Sequence, residues 1–236
     1  MKIFAKIRFY WGSFIISFIS AGIMIPLLYL FPRKKGEVLN YLNRIMMVLI
    51  GGKVIKEGDR DPNADMVMMN HQGIIDIVSM ESIEMTSMRW VAKKELFDAI
   101  WFGNILRLSE MISIDRQNKS GLIKLLKDCR YTVENTNRAI AIFPEGTRTD
   151  KQELLSFKAG AKLVANRLKL KVQPVAITGS KLLLNEHNKT AHNATVKIIY
   201  LPTVDVATAD DDWYEQISQT IQDAIDKDYA EYGRER

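Results

Sequence analysis

Cysteine is all but missing. Cys129 is the only one in the chain, so no intrachain disulfide framework can staple the fold. It lies in a helix-like segment with no histidine or acid arranged around it as a nucleophile's partners would be, which leaves buried packing or simple chance as the reason for it. Histidine is scarce too. His187 and His192 share a polar loop, Asn185 to Asn193, with one nearby acid, Glu186, too thin a donor set for a zinc site. The glycine-rich phosphate loop of nucleotide enzymes is absent, so ATP is not indicated. A G-x-S-x-G elbow is absent as well, and with it the serine nucleophile of the hydrolases that carry one. Internal repeats and low-complexity tracts are lacking.

An excess of positive charge is absent from most of the chain. Residues 1–60 hold ten Lys/Arg against three acids, whereas the remainder holds 23 against 25. That distribution argues against a nucleic-acid face spread over the body. It suits an anionic membrane surface, at about 1 kcal/mol per nearby Lys or Arg. From Phe9 to Pro32 run 24 residues without a charge, bounded by Arg8 and by Arg33-Lys34-Lys35. About 20 apolar residues span a bilayer core. The basic start and Ser20-Ala21-Gly22 would also suit a signal peptide, but the apolar run continues well past those small residues. Residues 37–50 supply a second apolar helix, with Val38, Leu39, Tyr41, Leu42, Ile45, Met46 and Leu49 near helical spacing. Three positive residues on each side of the first run give no orientation. The expectation is a membrane-associated two-helix segment over 1–56, embedded from one side with the first helix kinked at Pro26. A single crossing is the alternative.

Beyond Gly51-Gly52 and the polar stretch Lys56 to Asp65, residues 57–236 read as one α/β body. Apolar content of 47% and charged content of 26% are ordinary globular values. Strand-like runs at 65–70, 88–92, 111–115, 138–143, 172–178 and 195–201 alternate with helical stretches at 76–85, 95–107, 119–135, 156–169 and 212–230. Such alternation predicts a largely parallel central sheet flanked by helices.

The chemistry-bearing stretch is Asn70-His71-Gln72-Gly73-Ile74-Ile75-Asp76. Five residues on one continuous helix turn about 500°, roughly 140° off the starting face. His71 and Asp76 therefore meet only if the histidine lies on the turn before a helix and the acid in its first turns, with Gly73 easing the turn. The carboxylate would then hold one ring nitrogen and leave the other free to take a proton. A second stretch, Phe143-Pro144-Glu145-Gly146-Thr147-Arg148, ends an apolar strand. His71, Arg116 and Glu145 each come just past a predicted strand end, where open α/β sheets gather their ligands.

Together these stretches resemble the glycerolipid acyltransferase family, whose members include the 1-acylglycerol-3-phosphate acyltransferases. The family's N-H-x4-D motif is met by Asn70, His71 and Asp76, and its F-P-E-G-T-R motif by Phe143 through Arg148. Its K-x-E-L-x3-P-x2-G motif and the following I-D-R are met by Lys93, Glu95, Leu96, Gly103, Ile114, Asp115 and Arg116, with Ile100 where proline is usual. Its V-x-P-V-x-I motif is met by Val172, Pro174, Val175 and Ile177.

The resemblance implies transfer of an acyl group from acyl-CoA or acyl-carrier protein to the sn-2 hydroxyl of lysophosphatidic acid, giving phosphatidic acid. His71 would be the general base and Asp76 its orienter. The lipid hydroxyl would attack directly, without an acyl-enzyme. Backbone N–H groups of Gln72 or Gly73 would support the oxyanion. Arg148, then Arg116 and Lys93, would hold the acceptor phosphate. Gly146 and Thr147 would allow close contacts, and Glu145 would orient Arg148 or the acceptor glycerol. No metal or cofactor is implied, and the enzyme would sit on the cytoplasmic membrane with its site facing the cytoplasm. Another lysolipid acceptor stays open, as do a thioesterase that passes the acyl group to water and a non-catalytic anionic-lipid binder.

Overall fold

The inner strands Met66–Met69 and Ile140–Ile142 are short and apolar throughout, as strands buried between two helical layers must be. A computed structural model describes residues 2–86, 88–116 and 118–236. The N-terminal helix α1 (Lys2–Phe18) runs into a π-helical turn (Ile19–Met24) and then α2 (Ile25–Leu30). Where a kink at Pro26 is expected, the helix carries a π turn: proline lacks an N–H, and the turn before it widens so that the Ile25 N–H reaches the Ser20 carbonyl. A 3-10 turn (Pro32–Lys34) leads to α3 (Lys35–Leu49).

Next come β1 (Gly52–Glu57), β2 (Met66–Met69), α4 (Ile74–Ile83), β3 (Arg89–Lys93), α5 (Lys94–Phe97) and α6 (Phe102–Leu108). They are followed by β4 (Ile112–Ile114), α7 (Lys119–Asn135), β5 (Ile140–Ile142), α8 (Ala159–Leu168) and β6 (Lys171–Thr178). The chain closes with α9 (Ser180–Leu183), β7 (Leu184–Asn185), β8 (Thr190–Ala191), β9 (Ala194–Tyr200), β10 (Val204–Asp205) and α10 (Trp213–Tyr232).

The sheet order is β1-β9-β6-β2-β5-β3-β4, with β10 on β6. Strands β6, β2, β5, β3 and β4 are parallel, and β9 joins β6 antiparallel. Alternate residues of β2 serve two cores. Val67 and Met69 face a cluster shared with α3, α4 and the N-terminal helix, whereas Met66 and Met68 face one built by α7, α8 and α10. Cys129 is buried in the second cluster, and burial pushes its thiol up to about 12, so packing is its role.

Four expectations need correcting. The division at 56/57 falls inside β1, which pairs in parallel with β9, so residues 52–56 belong to the body. Helix α3 likewise packs Leu39, Leu42 and Met46 into the first core instead of standing apart from it. The predicted helix 95–107 breaks into α5 and α6, and the polar loop Asn185–Asn193 contains most of a small β7-β8 hairpin.

Candidate active site

Because β2, β3, β4 and β5 run parallel and adjacent, their carboxyl ends bring His71, Lys93, Arg116 and the Glu145–Arg148 turn to one edge of the sheet. The strand end at β2 is pinned by Asn70. Its fully buried amide donates to the Ile177 carbonyl at 2.8 Å and accepts from the Ile177 N–H at 2.7 Å. The asparagine of the first motif is thus a clamp between β2 and β6.

His71 lies before α4 and Asp76 in the helix's first turn. Nδ1 of His71 is 2.9 Å from Oδ2 of Asp76. The same oxygen accepts the N–H groups of Gln72 at 2.6 Å and Gly73 at 2.9 Å, so Asp76 also caps its own helix. Those two N–H groups are therefore committed to the carboxylate, and the expected oxyanion role for them is not available. Gly73 has an extended backbone that any residue can adopt; what a side chain there would crowd is Glu186 Oε1, 3.3 Å from the Cβ position. Burial alone would push the Asp76 carboxyl up. The hydrogen bond and charge of His71, with the Gly73 N–H, outweigh burial and hold it below the usual carboxylate range.

The imidazole stacks on Phe143, with ring centroids 3.8 Å apart and planes 8° from parallel. Trp90 stacks in turn on the same phenyl ring. With Nδ1 held and the ring face covered, Nε2 is the nitrogen left to exchange a proton, and His71 lines a cavity of about 1020 Å³. The cavity wall is mostly apolar, built by Ile74, Val78, Trp90 and Ile105 and closed by Ile16 and Met24 of the N-terminal helix. Such a space suits a long hydrocarbon chain.

Cations line the same cavity: Lys93, Arg116, Arg148 and Lys158, together with Gly146 and Thr147. Gly146 has φ of 74°, and a Cβ there would lie 2.9 Å from Arg116 Nη1, so conformation and space both call for glycine. Arg116 donates to the Gly146 carbonyl, which fixes one cation against the turn. Arg148 pairs with Glu186, whose other oxygen accepts the Ile74 N–H at 2.8 Å at the start of α4. Glu186 was legible in sequence only as a lone acid in a polar loop, and Lys158 carried no signal at all.

Glu145 sits elsewhere than expected. It is fully buried and does not line the cavity. Its oxygens accept the N–H groups of His71 at 2.9 Å and Leu155 at 2.8 Å. It therefore holds the turns that bear the site, and it orients neither Arg148 nor an acceptor.

The model of the Acyltransferase family matches residues 56–178. The chain is 34% identical over 184 residues to a 1-acyl-sn-glycerol-3-phosphate acyltransferase of Helicobacter pylori strain J99, covering 78% of this chain and 77% of that protein. It is 29% identical over 168 residues to the protein of the same name from Escherichia coli K12, covering 70% and 67%. In fold it is similar to the crystal structure of PlsC, the 1-acyl-sn-glycerophosphate (LPA) acyltransferase from Thermotoga maritima. The TM-score is 0.80 at 18% identity, over 96% of this chain and 97% of that one.

Proposed function

Because the chain belongs to the acyltransferase family, we propose that it is a 1-acylglycerol-3-phosphate O-acyltransferase, making phosphatidic acid from lysophosphatidic acid and an acyl thioester. The observation that carries the reading is the His71–Asp76 pair beside a mostly apolar cavity that four cations also line. Nε2 of His71 takes the proton of the sn-2 hydroxyl as its oxygen attacks the thioester carbonyl. The tetrahedral adduct collapses by breaking the C–S bond, and the thiolate takes the proton back from the imidazolium. Asp76 keeps the proton-bearing nitrogen at Nδ1 and offsets the charge that His71 gains. Acyl-CoA or acyl-carrier protein supplies the thioester, and the hydroxyl attacks without an acyl-enzyme.

Arg116, Arg148, Lys93 and Lys158 meet the acceptor phosphate, and Arg can do so bidentately. Among the described residues one helical stretch, Lys2–Leu30, is long and apolar enough to cross a membrane. That stretch supports membrane association, which suits a lipid acceptor, and we propose that the site faces the cytoplasm, where the thioesters are.

The test is purified protein with one labelled acyl thioester and a panel of lysolipids, products separated by mass. Diacyl product with lysophosphatidic acid is expected, and His71→Ala should lower kcat at least about 100-fold while lysolipid binding survives. Free fatty acid as the main product, or preference for another lysolipid, would overturn the assignment.

A further inference from the structure

The carboxylate beneath the site has a partner from the far end of the sequence. Arg236 is fully buried and forms an ion pair with Oε1 of Glu145, the oxygen that also accepts the His71 N–H. Its other terminal nitrogen donates to the carbonyls of Glu153 at 2.7 Å and Lys151 at 3.3 Å. Its own N–H donates to Gln152 Oε1 at 3.0 Å. One residue earlier, the Glu235 carbonyl accepts the Gly179 N–H at 2.6 Å, just past the end of β6. Neither Arg236 nor Glu145 lines the cavity.

We propose that Arg236 is a positioning residue for acyl transfer. Its guanidinium neutralises Glu145 in the interior and so fixes the acceptor that holds the His71 backbone in place. The planar fork suits this role, since one nitrogen takes the carboxylate and the other takes two carbonyls of the loop that follows Arg148. A buried carboxylate stripped of its cation relaxes by moving toward water or by losing its charge. Either course loosens the grip on His71, whose ring must meet Asp76 to act as a base. Turnover depends on that meeting; the donor site does not.

This inference rests on the assignment of His71 as the base, and the two can fail separately. If His71→Ala retains activity, the function itself is wrong; if only the Arg236 variants behave as the parent does, the positioning role is wrong. For Arg236→Gln the expected result is kcat lowered at least tenfold with the thioester KM within twofold. Arg236→Lys, which keeps the buried charge, should recover a third or more of the lost turnover. A folded R236Q with kcat within twofold of the parent overturns the proposal, as does an R236K no better than R236Q. Should R236Q fail to fold, the double variant Glu145→Gln/Arg236→Met removes both charges together and keeps a neutral interior. It should be folded by circular dichroism yet turn over at least tenfold more slowly, and parental kcat in that variant overturns the role.

Discussion

One oxygen, Oδ2 of Asp76, receives the imidazole and two backbone N–H groups at once. Asp76→Asn separates those duties. An amide oxygen in the Oδ2 place can still accept the backbone donors and the Nδ1 proton, but it brings no charge to offset that of the imidazolium, so the base is disabled while the turn is kept. The base would be lost with little change in binding: kcat should fall by roughly 10³-fold or more, with both KM values within a few-fold, as steady-state kinetics would show. Glu81 supplies a stability test. Burial outweighs the hydrogen bond from Trp90 Nε1, at 2.6 Å, and pushes its carboxyl from 4.5 up to about 7. The folded state thus binds the proton more tightly than the unfolded one. Its contribution is complete below about pH 4.5, declines as pH rises through 7, and is level above. Glu81→Gln, neutral throughout, should gain on the parent between pH 5 and 8, by at most about 3 kcal/mol, measured as denaturation midpoints in one detergent. A gap that does not change with pH would count against the buried carboxyl. Residues such as these differ in how readable they are. His71 and Asp76 lie five apart, so their meeting follows from local geometry. Glu145 and Arg236 are 91 apart, and Glu186 and Ile74 are 112 apart, distances that only the completed sheet closes.

At the scale of elements, what could be read was what carries its own pattern. The six central strands and the long helices α7 and α10 have apolar periods of their own, and each lies within a few residues of where that period puts it. β1 escaped because Gly52–Glu57 is half polar, as an edge strand with two lysines is expected to be, and only pairing with β9 makes it a strand. The β7-β8 hairpin has two residues a side, too short to show alternation. The break between α5 and α6 has a readable cause in hindsight. A Cβ on Gly103 would run into the Phe97 carbonyl, so the two helices fold back on each other only if that position is bare. The obstacle is backbone, which cannot step aside as a side chain can. Gly103→Ala should therefore open the α5–α6 turn, cost about 1–3 kcal/mol and lower Tm by roughly 3–10 °C. An unchanged thermal midpoint would show that the turn yields freely. Ile100, exposed at that turn, stands where the family usually has proline, and the break forms without the proline ring.

For the whole molecule the open question is on which side of a bilayer the N-terminal helix begins. Lys2–Leu30 is about 43 Å long at 1.5 Å per residue, enough to cross, and the charges at its two ends balance. The contacts favour one of the two arrangements. Near its start, Arg8 pairs with Asn193 and donates to the Ile50 carbonyl at 3.4 Å. In its middle and toward its end, Ile15, Ile19, Met24 and Leu28 enter the core that α3 and α4 share. A helix held by one body along its length cannot begin beyond a hydrocarbon layer of about 30 Å. Meanwhile Phe4, Ile7, Trp11, Phe14 and Phe18 are exposed, an apolar stripe that suits one leaflet, with the exposed Lys2 and Lys6 available to the headgroups. In sealed inverted vesicles, a tag fused before Lys2 should accordingly be cleaved by added protease without detergent. Protection of the tag would mean that the helix leaves the body and crosses. Removing residues 2–30 should do more than release the protein from membranes: it takes Ile16, Ser20 and Met24 from the cavity wall. Activity should then be lost even on substrate dispersed in detergent, whereas changing Phe4, Phe14 and Phe18 to serine should weaken vesicle binding and leave detergent activity within a few-fold.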